Sequence, residues 1–177
     1  MKRIITFATI IITLCCIYQC SGKVLEIENT LYSGKKRGVL SNAVFFLRVE
    51  DSIAFIEQYR EFWGVLYLDL KDTLYLKKDN FFVGDKTYVT IVGNDIRLKN
   101  LKEKISWKLD VKLKKCDKNG YGQYDVYRNR LLLDTLDFQN IPMRIYRPLV
   151  DKAYHLNHQE FKKEVDLFIR KYKINKR

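Results

Sequence analysis

The chain has 177 residues, of which 47% are apolar, 14% aromatic and 31% charged, a composition that excludes a disordered or collagen-like polypeptide and fits one folded domain with a sizeable core. Eight glycines and two prolines leave no room for a flexible linker between independent domains. The net charge of +12 points to an anionic partner, a polyphosphate chain or an acidic membrane surface, without identifying it.

Lys2 and Arg3 precede an uncharged, mostly apolar stretch over residues 4–18. At about 1.5 Å per residue it is too short for the ~30 Å hydrocarbon layer, so residues 1–22 are predicted to be an export signal rather than a resident membrane span. Two exits from that signal are open: cleavage after Gly22, or lipidation of Cys20 in Ile17-Tyr18-Gln19-Cys20, where Gln19 departs from the small residue usual in a lipoprotein box. Cys15, Cys16 and Cys20 belong to the leader or its edge, which leaves Cys116 well inside the mature chain and no disulfide framework to build. The product is predicted to be secreted, or anchored at the cell envelope by lipid.

Beyond the leader, residues 24–28 alternate like a short strand and residues 34–38 read as a basic loop. Over residues 52–63 the spacing of Ile53, Ile56, Tyr59, Phe62 and Trp63 predicts an amphipathic helix, stopped by Gly64. Strands are predicted at 65–70, 73–76 and 87–92, separated by Lys71-Asp72, residues 77–80 and Gly84-Asp85, with a helical turn at 98–105. Trp107, Leu109, Val111 and Leu113 alternate with Lys108, Asp110, Lys112 and Lys114, the pattern of a half-buried strand with a charged outer face. Asn119-Gly120 supplies turn chemistry, and residues 124–127 are expected to return as the partner strand. A helix is predicted over 131–138, ending before Pro142. Asn157 with Glu160 three residues later resembles a capping box opening a last helix, whose apolar stripe is Phe161, Val165, Phe168, Ile169 and Tyr172.

Charge is not evenly divided along the chain. Residues 23–94 hold ten basic and ten acidic side chains, whereas residues 95–177 hold twenty-one basic and eleven acidic, a net +10. Clustered Lys and Arg are the footprint of a surface that follows phosphates, because counterion release rewards them; a solvated basic face gives the same count.

Asp117, Asn119 and Gly122 imitate the start of an EF-hand calcium loop, but Tyr121 and Arg128 stand at the fifth and twelfth positions, where oxygen ligands are required, so that site is rejected. Strands, a short helix, two more strands and terminal helices follow the order of an α+β fold: a five-stranded OB-fold-like β-barrel with C-terminal helices. The run Asp117-Lys118-Asn119-Gly120-Tyr121-Gly122-Gln123-Tyr124-Asp125-Val126-Tyr127 resembles the signature of the thermonuclease (staphylococcal-nuclease-like) family, and Ile141-Pro142-Met143-Arg144-Ile145-Tyr146-Arg147-Pro148 is similar to a later segment of that family. Lys71-Asp72-Thr73 and Thr90-Ile91-Val92-Gly93-Asn94-Asp95 resemble its upstream motifs. The resemblance covers 64–177 and leaves 23–63 as an N-terminal extension containing one helix.

That resemblance implies Asp72 and Asp95 as oxygen ligands for Ca²⁺. It also implies that Thr90, Leu98 and Tyr121 replace the family's first arginine, water-orienting carboxylate and second arginine, so phosphodiester hydrolysis is expected to be weakened or lost. The expected function is an exported, monomeric nucleic-acid-binding protein, for DNA or RNA. Lys118, Arg128, Arg130, Arg144 and Arg147 would contact phosphates, and Tyr121, Tyr127 and Tyr146 would stack on bases. The alternatives are an active Ca²⁺-dependent nuclease and a lipid-anchored interaction module.

Overall fold

The computed structural model describes residues 30–37, 41–77, 81–92, 95–101 and 109–176. Eight strands follow in order: β1 (Thr30–Arg37), β2 (Asn42–Glu50), β3 (Ile53–Phe62), β4 (Val65–Lys77), β5 (Phe81–Val83), β6 (Thr87–Val92), β7 (Asp95–Asn100) and β8 (Asp110–Lys115). Each pairs antiparallel with the next, and β8 returns to β1 through Tyr32↔Lys115 and Ser33↔Lys114, which closes an up-and-down barrel. Three helices complete the chain: α1 (Lys118–Asp134), α2 (Met143–Lys152) and α3 (His158–Tyr172).

Alternation along the strands sorts side chains between two environments. Tyr32, Phe45, Leu47, Val49, Ile56, Leu74, Phe82, Val89, Leu98, Val111 and Leu113 fill the barrel interior. Where β1 meets β8 the backbones come unusually close. A Cβ at Gly34 would sit 2.7 Å from the Lys112 carbonyl oxygen and 2.8 Å from Val111 Cγ1, so closure needs glycine there. On the outside, Leu31, Val44, Phe46, Tyr59 and Leu66 form a second apolar layer against Tyr124, Tyr127 and Leu131 of α1. A third cluster, with Leu133, Leu149, Ala153, Phe161 and Val165, joins the three helices to one another.

Several sequence expectations are corrected by this architecture. The five expected strands give way to eight: residues 30–62 supply β1–β3 of the barrel instead of an extension beside it, β5 and β7 are added, two expected strands merge into β4 and one is helical. The helix expected over 52–63 is β3. Its outer face lies under α1 as its inner face lies in the barrel, so both faces carry apolar residues and the alternation is blurred into an apparent helical spacing. The basic loop at 34–38 continues β1 as far as Arg37, and the two strands read at 65–70 and 73–76 are one, bulged at Asp69. Residues 98–100, read as helical, end β7.

The hairpin expected at Asn119-Gly120 is the first turn of α1. Asp117 is its N-cap, the carboxylate accepting from the Gly120 amide at 2.8 Å, so the turn chemistry opens a helix and residues 124–127 lie within it. The predicted cap of the last helix is present: Asn157 Oδ1 accepts from the Glu160 amide at 3.0 Å, and Phe161 and Val165 are buried beneath it. Residues 24–28, 78–80 and 102–108, and the leader with Cys20, lie outside the described residues.

Candidate nucleic-acid interface

The residues expected to form one site fall in separate places: Tyr121 and Arg128 line one groove, Arg130 and Tyr146 another, and the two aspartates lie apart from both. Asp72 is buried where β4 passes the β5–β6 turn. Its Oδ1 accepts from the amides of Thr73 (3.1 Å) and Asp85 (3.3 Å), and its Oδ2 from the amides of Lys86 (2.9 Å) and Thr87 (3.0 Å) and from the Thr87 hydroxyl (2.9 Å). A carboxylate so engaged holds a turn.

Asp95 begins β7, on the outside of the barrel, in an ion pair with Lys112 that holds its carboxyl below the usual carboxylate range. Asp72 is bonded to Thr87 at the start of β6, whereas Asp95 is paired in register with Val92 at its end. Five residue steps at about 3.3 Å separate the two aspartates by roughly 16 Å, too far for one ion. Among the described residues no three His, Cys, Asp or Glu side chains are grouped to hold a metal.

The remaining predicted residues fall along the helices. Lys118 is exposed in the first turn of α1. The Tyr121 hydroxyl accepts from the Leu31 amide at 3.0 Å, and the Arg128 guanidinium lies over the Tyr124 ring at 5.2 Å. Tyr127 packs on Phe46 and Tyr59, at centroid distances of 5.8 and 5.1 Å, so it belongs to the layer between helix and barrel. In that layer Glu57 Oε2 accepts from the hydroxyls of Tyr59 (2.5 Å) and Tyr124 (3.0 Å), and burial pushes both phenols above their ordinary value. Arg130 reaches Glu61 at 3.1 Å and the Gly64 carbonyl. Tyr146 stacks on Phe138 at 4.5 Å, and Arg144 and Arg147 are exposed on α2. Thr90 lies on the outer face of β6, and Leu98 is wholly buried inside the barrel.

The helices cover the outer face of β1–β4, and the opposite wall is built differently. Cross-strand pairing sets Tyr75, Val83, Tyr88 and Lys99 in one row across β4, β5, β6 and β7, and Phe81, Thr90, Arg97 and Lys112 in the next across β5–β8. Tyr75 is 56% exposed, and the Phe81 and Tyr88 rings lie 5.4 Å apart at 41°. Lys114 and the β1 residues Lys35 and Arg37 extend the basic side.

Among the described strand residues the carboxylates on this face are Asp95 and Asp110, each engaged with a cation, Lys112 and Arg97 respectively. Lys35, Arg37, Lys99 and Lys114 have no ion-pair partner among the described residues. The wall therefore presents an aromatic stripe beside a stripe of cations.

No protein-family model, curated protein or solved structure matches the chain. The alternation over 107–114 marks the Lys112 and Lys114 strand as a charged outer face, but Tyr75, Phe81 and Tyr88 become its neighbours only through the pairing of β4 through β8.

Proposed function

We propose that this is an exported protein that holds single-stranded nucleic acid on the helix-free wall of its barrel. One observation carries the reading: the pairing of β4–β8 brings Tyr75, Phe81 and Tyr88 alongside Arg97, Lys99, Lys112 and Lys114 on a surface that no described helix covers. Flat rings accept unpaired bases while flanking cations follow the phosphates, a combination that favours a single strand over a duplex whose bases are already stacked. The exposed pairs Arg97–Asp110 and Lys112–Asp95 are weak enough for a phosphate to replace the carboxylate.

The reading keeps the nucleic-acid partner expected from the basic half of the chain and moves the contact from the helices to the sheet. Its test is fluorescence anisotropy of labelled single-stranded and duplex oligonucleotides with the leaderless chain over a salt series. Lys99→Glu with Lys114→Glu is expected to weaken binding more than tenfold and flatten the salt dependence. Tyr88→Ala is expected to cost at least fivefold on single strands, the low end of one lost stacking contact at ~1–3 kcal/mol, and less on duplex. Binding that ignores the wall variants and disappears with Arg144→Glu and Arg147→Glu would place the contact on α2 and overturn the proposal.

A further inference from the structure

The β3–β4 hairpin overhangs the barrel. Its ladder continues to Phe62↔Val65, two pairs past Arg60↔Tyr67, whereas β2 meets β3 no further than Ala43↔Arg60, and β5 meets β4 only from Tyr75 to Lys77. Leu66 of the overhang is buried against α1, and Arg130 anchors it through Glu61 and the Gly64 carbonyl. Its other apolar side chains are largely bare. Trp63 is 88% exposed, Val65 and Tyr67 are 47% exposed, and Phe62 packs edge-on against Trp63 with centroids 5.9 Å apart.

The turn itself is built against its own preference. Trp63 and Gly64 are the two central residues of the hairpin connection, with φ of 53° and 77°. A two-residue turn with both central residues left-handed favours Asn-Gly, and a bulky residue at the first position is strained. The chain therefore carries an indole at a strained turn position, where among the described residues its one ring contact is Phe62.

The groove beside the tip holds Arg130 and Asp134, and the α2 side of it is basic and amphipathic. Gly64 and Val65 share a groove with Tyr146 and Val150 of α2. Met143, 63% exposed, and Arg147 lie one helical turn apart on that same side of α2, and neither Arg144 nor Arg147 is in an ion pair among the described residues.

We infer that the Trp63 hairpin tip inserts into the headgroup region of an anionic phospholipid bilayer, with Arg144 and Arg147 against the lipid phosphates. A narrow convex tip with Trp at its apex and Tyr at its base suits the interface between headgroups and acyl chains, where amphipathic rings concentrate. Phe62 and Val65 add apolar surface that a base-stacking site would not use. The free guanidiniums supply the charge complementarity that selects anionic lipid. This surface is separate from the β4–β8 wall and does not depend on it.

The test uses the leaderless chain, free of any acyl group, in co-sedimentation with vesicles of phosphatidylglycerol and phosphatidylcholine and with phosphatidylcholine vesicles alone. Partition into the anionic vesicles with a blue shift of Trp emission is expected. Trp63→Asn installs the favoured Asn-Gly turn, so it should raise the urea midpoint while weakening vesicle partition at least tenfold. Arg144→Glu with Arg147→Glu should weaken it at least fivefold, and a Trp107→Phe chain should keep the blue shift. Absent partition, equal partition into neutral vesicles, or partition unchanged by Trp63→Asn would each overturn the inference, as would Trp63 quenching by oligonucleotide in place of lipid.

Discussion

Replacing Asp72 separates a turn-holding carboxylate from a metal ligand. Asp72→Ala removes four hydrogen bonds to the β5–β6 turn and one to the neighbouring Thr73 amide. The amides of Asp85 and Lys86 are partly solvated and turn to water at little cost, but Thr87 is fully buried, and its amide and hydroxyl are both left without an acceptor. Each orphaned buried donor costs ~1–3 kcal/mol, so the loss is about 3 kcal/mol in all. Over a slope of about 2 kcal/mol/M that moves the urea midpoint of the leaderless chain down by about 1.5 M with the slope unchanged. Asp72→Asn keeps one acceptor oxygen and turns an amide N–H₂ toward two N–H donors, for a loss of about 2 kcal/mol. Asp95→Asn breaks only an exposed pair and leaves the urea midpoint close to that of the parent. A midpoint that falls by less than 0.3 M in Asp72→Ala, about a fifth of that shift, refutes the turn-holding role, and Ca²⁺ stabilisation lost equally in the two Asn variants restores the shared ion site.

His158 carries a pH signature. Its Nδ1 lies 2.9 Å from Oδ1 of the buried Asn129, and burial, then Arg128 and Lys162, lower its pKa from 6.5 to about 4 against a smaller opposing pull from Glu57. Between pH 6.5 and 4 the unfolded chain takes up a proton that the folded ring refuses, so stability falls as the pH falls through that window. Solvent at the exposed edge of the ring reduces this contribution to about 1 kcal/mol, and His158→Gln should remove that part of the slope; urea midpoints at pH 7.5, 6 and 4.5 in the two proteins measure it, and parallel slopes refute it. Gly34→Ala should cost about 2 kcal/mol by forcing β1 away from the Lys112 carbonyl, and an unchanged urea midpoint would show that the closing seam has slack.

What was legible in the sequence follows how many faces of each element are buried. β8 is buried on one side, so Leu109, Val111 and Leu113 alternate cleanly with charge, and α3 has one apolar stripe and a polar cap. β3 is buried on both sides around Tyr59, and its periodicity was lost. In α1 the stripe Tyr124, Tyr127, Leu131 has helical spacing, but two early glycines and an Asn-Gly pair masked it, and the meaning of Asp117 as a cap emerges only once the helix is seen. The basic half of the chain was readable from composition. The aromatic partners of those cations lie up to about forty residues away, and no local pattern announces a cross-strand neighbour.

The seam between β1 and β8 governs when this protein can fold. Tyr32 and Lys115 are separated by most of the barrel sequence, so the last contact of the ring is also one of its most distant along the chain. Until Lys115 is available, β1 and β7 are bare edges open to pairing with other chains. Synthesis from the N-terminus delivers the first strand ahead of its final partner, which makes the interval before α1 emerges the period of greatest exposure to aggregation.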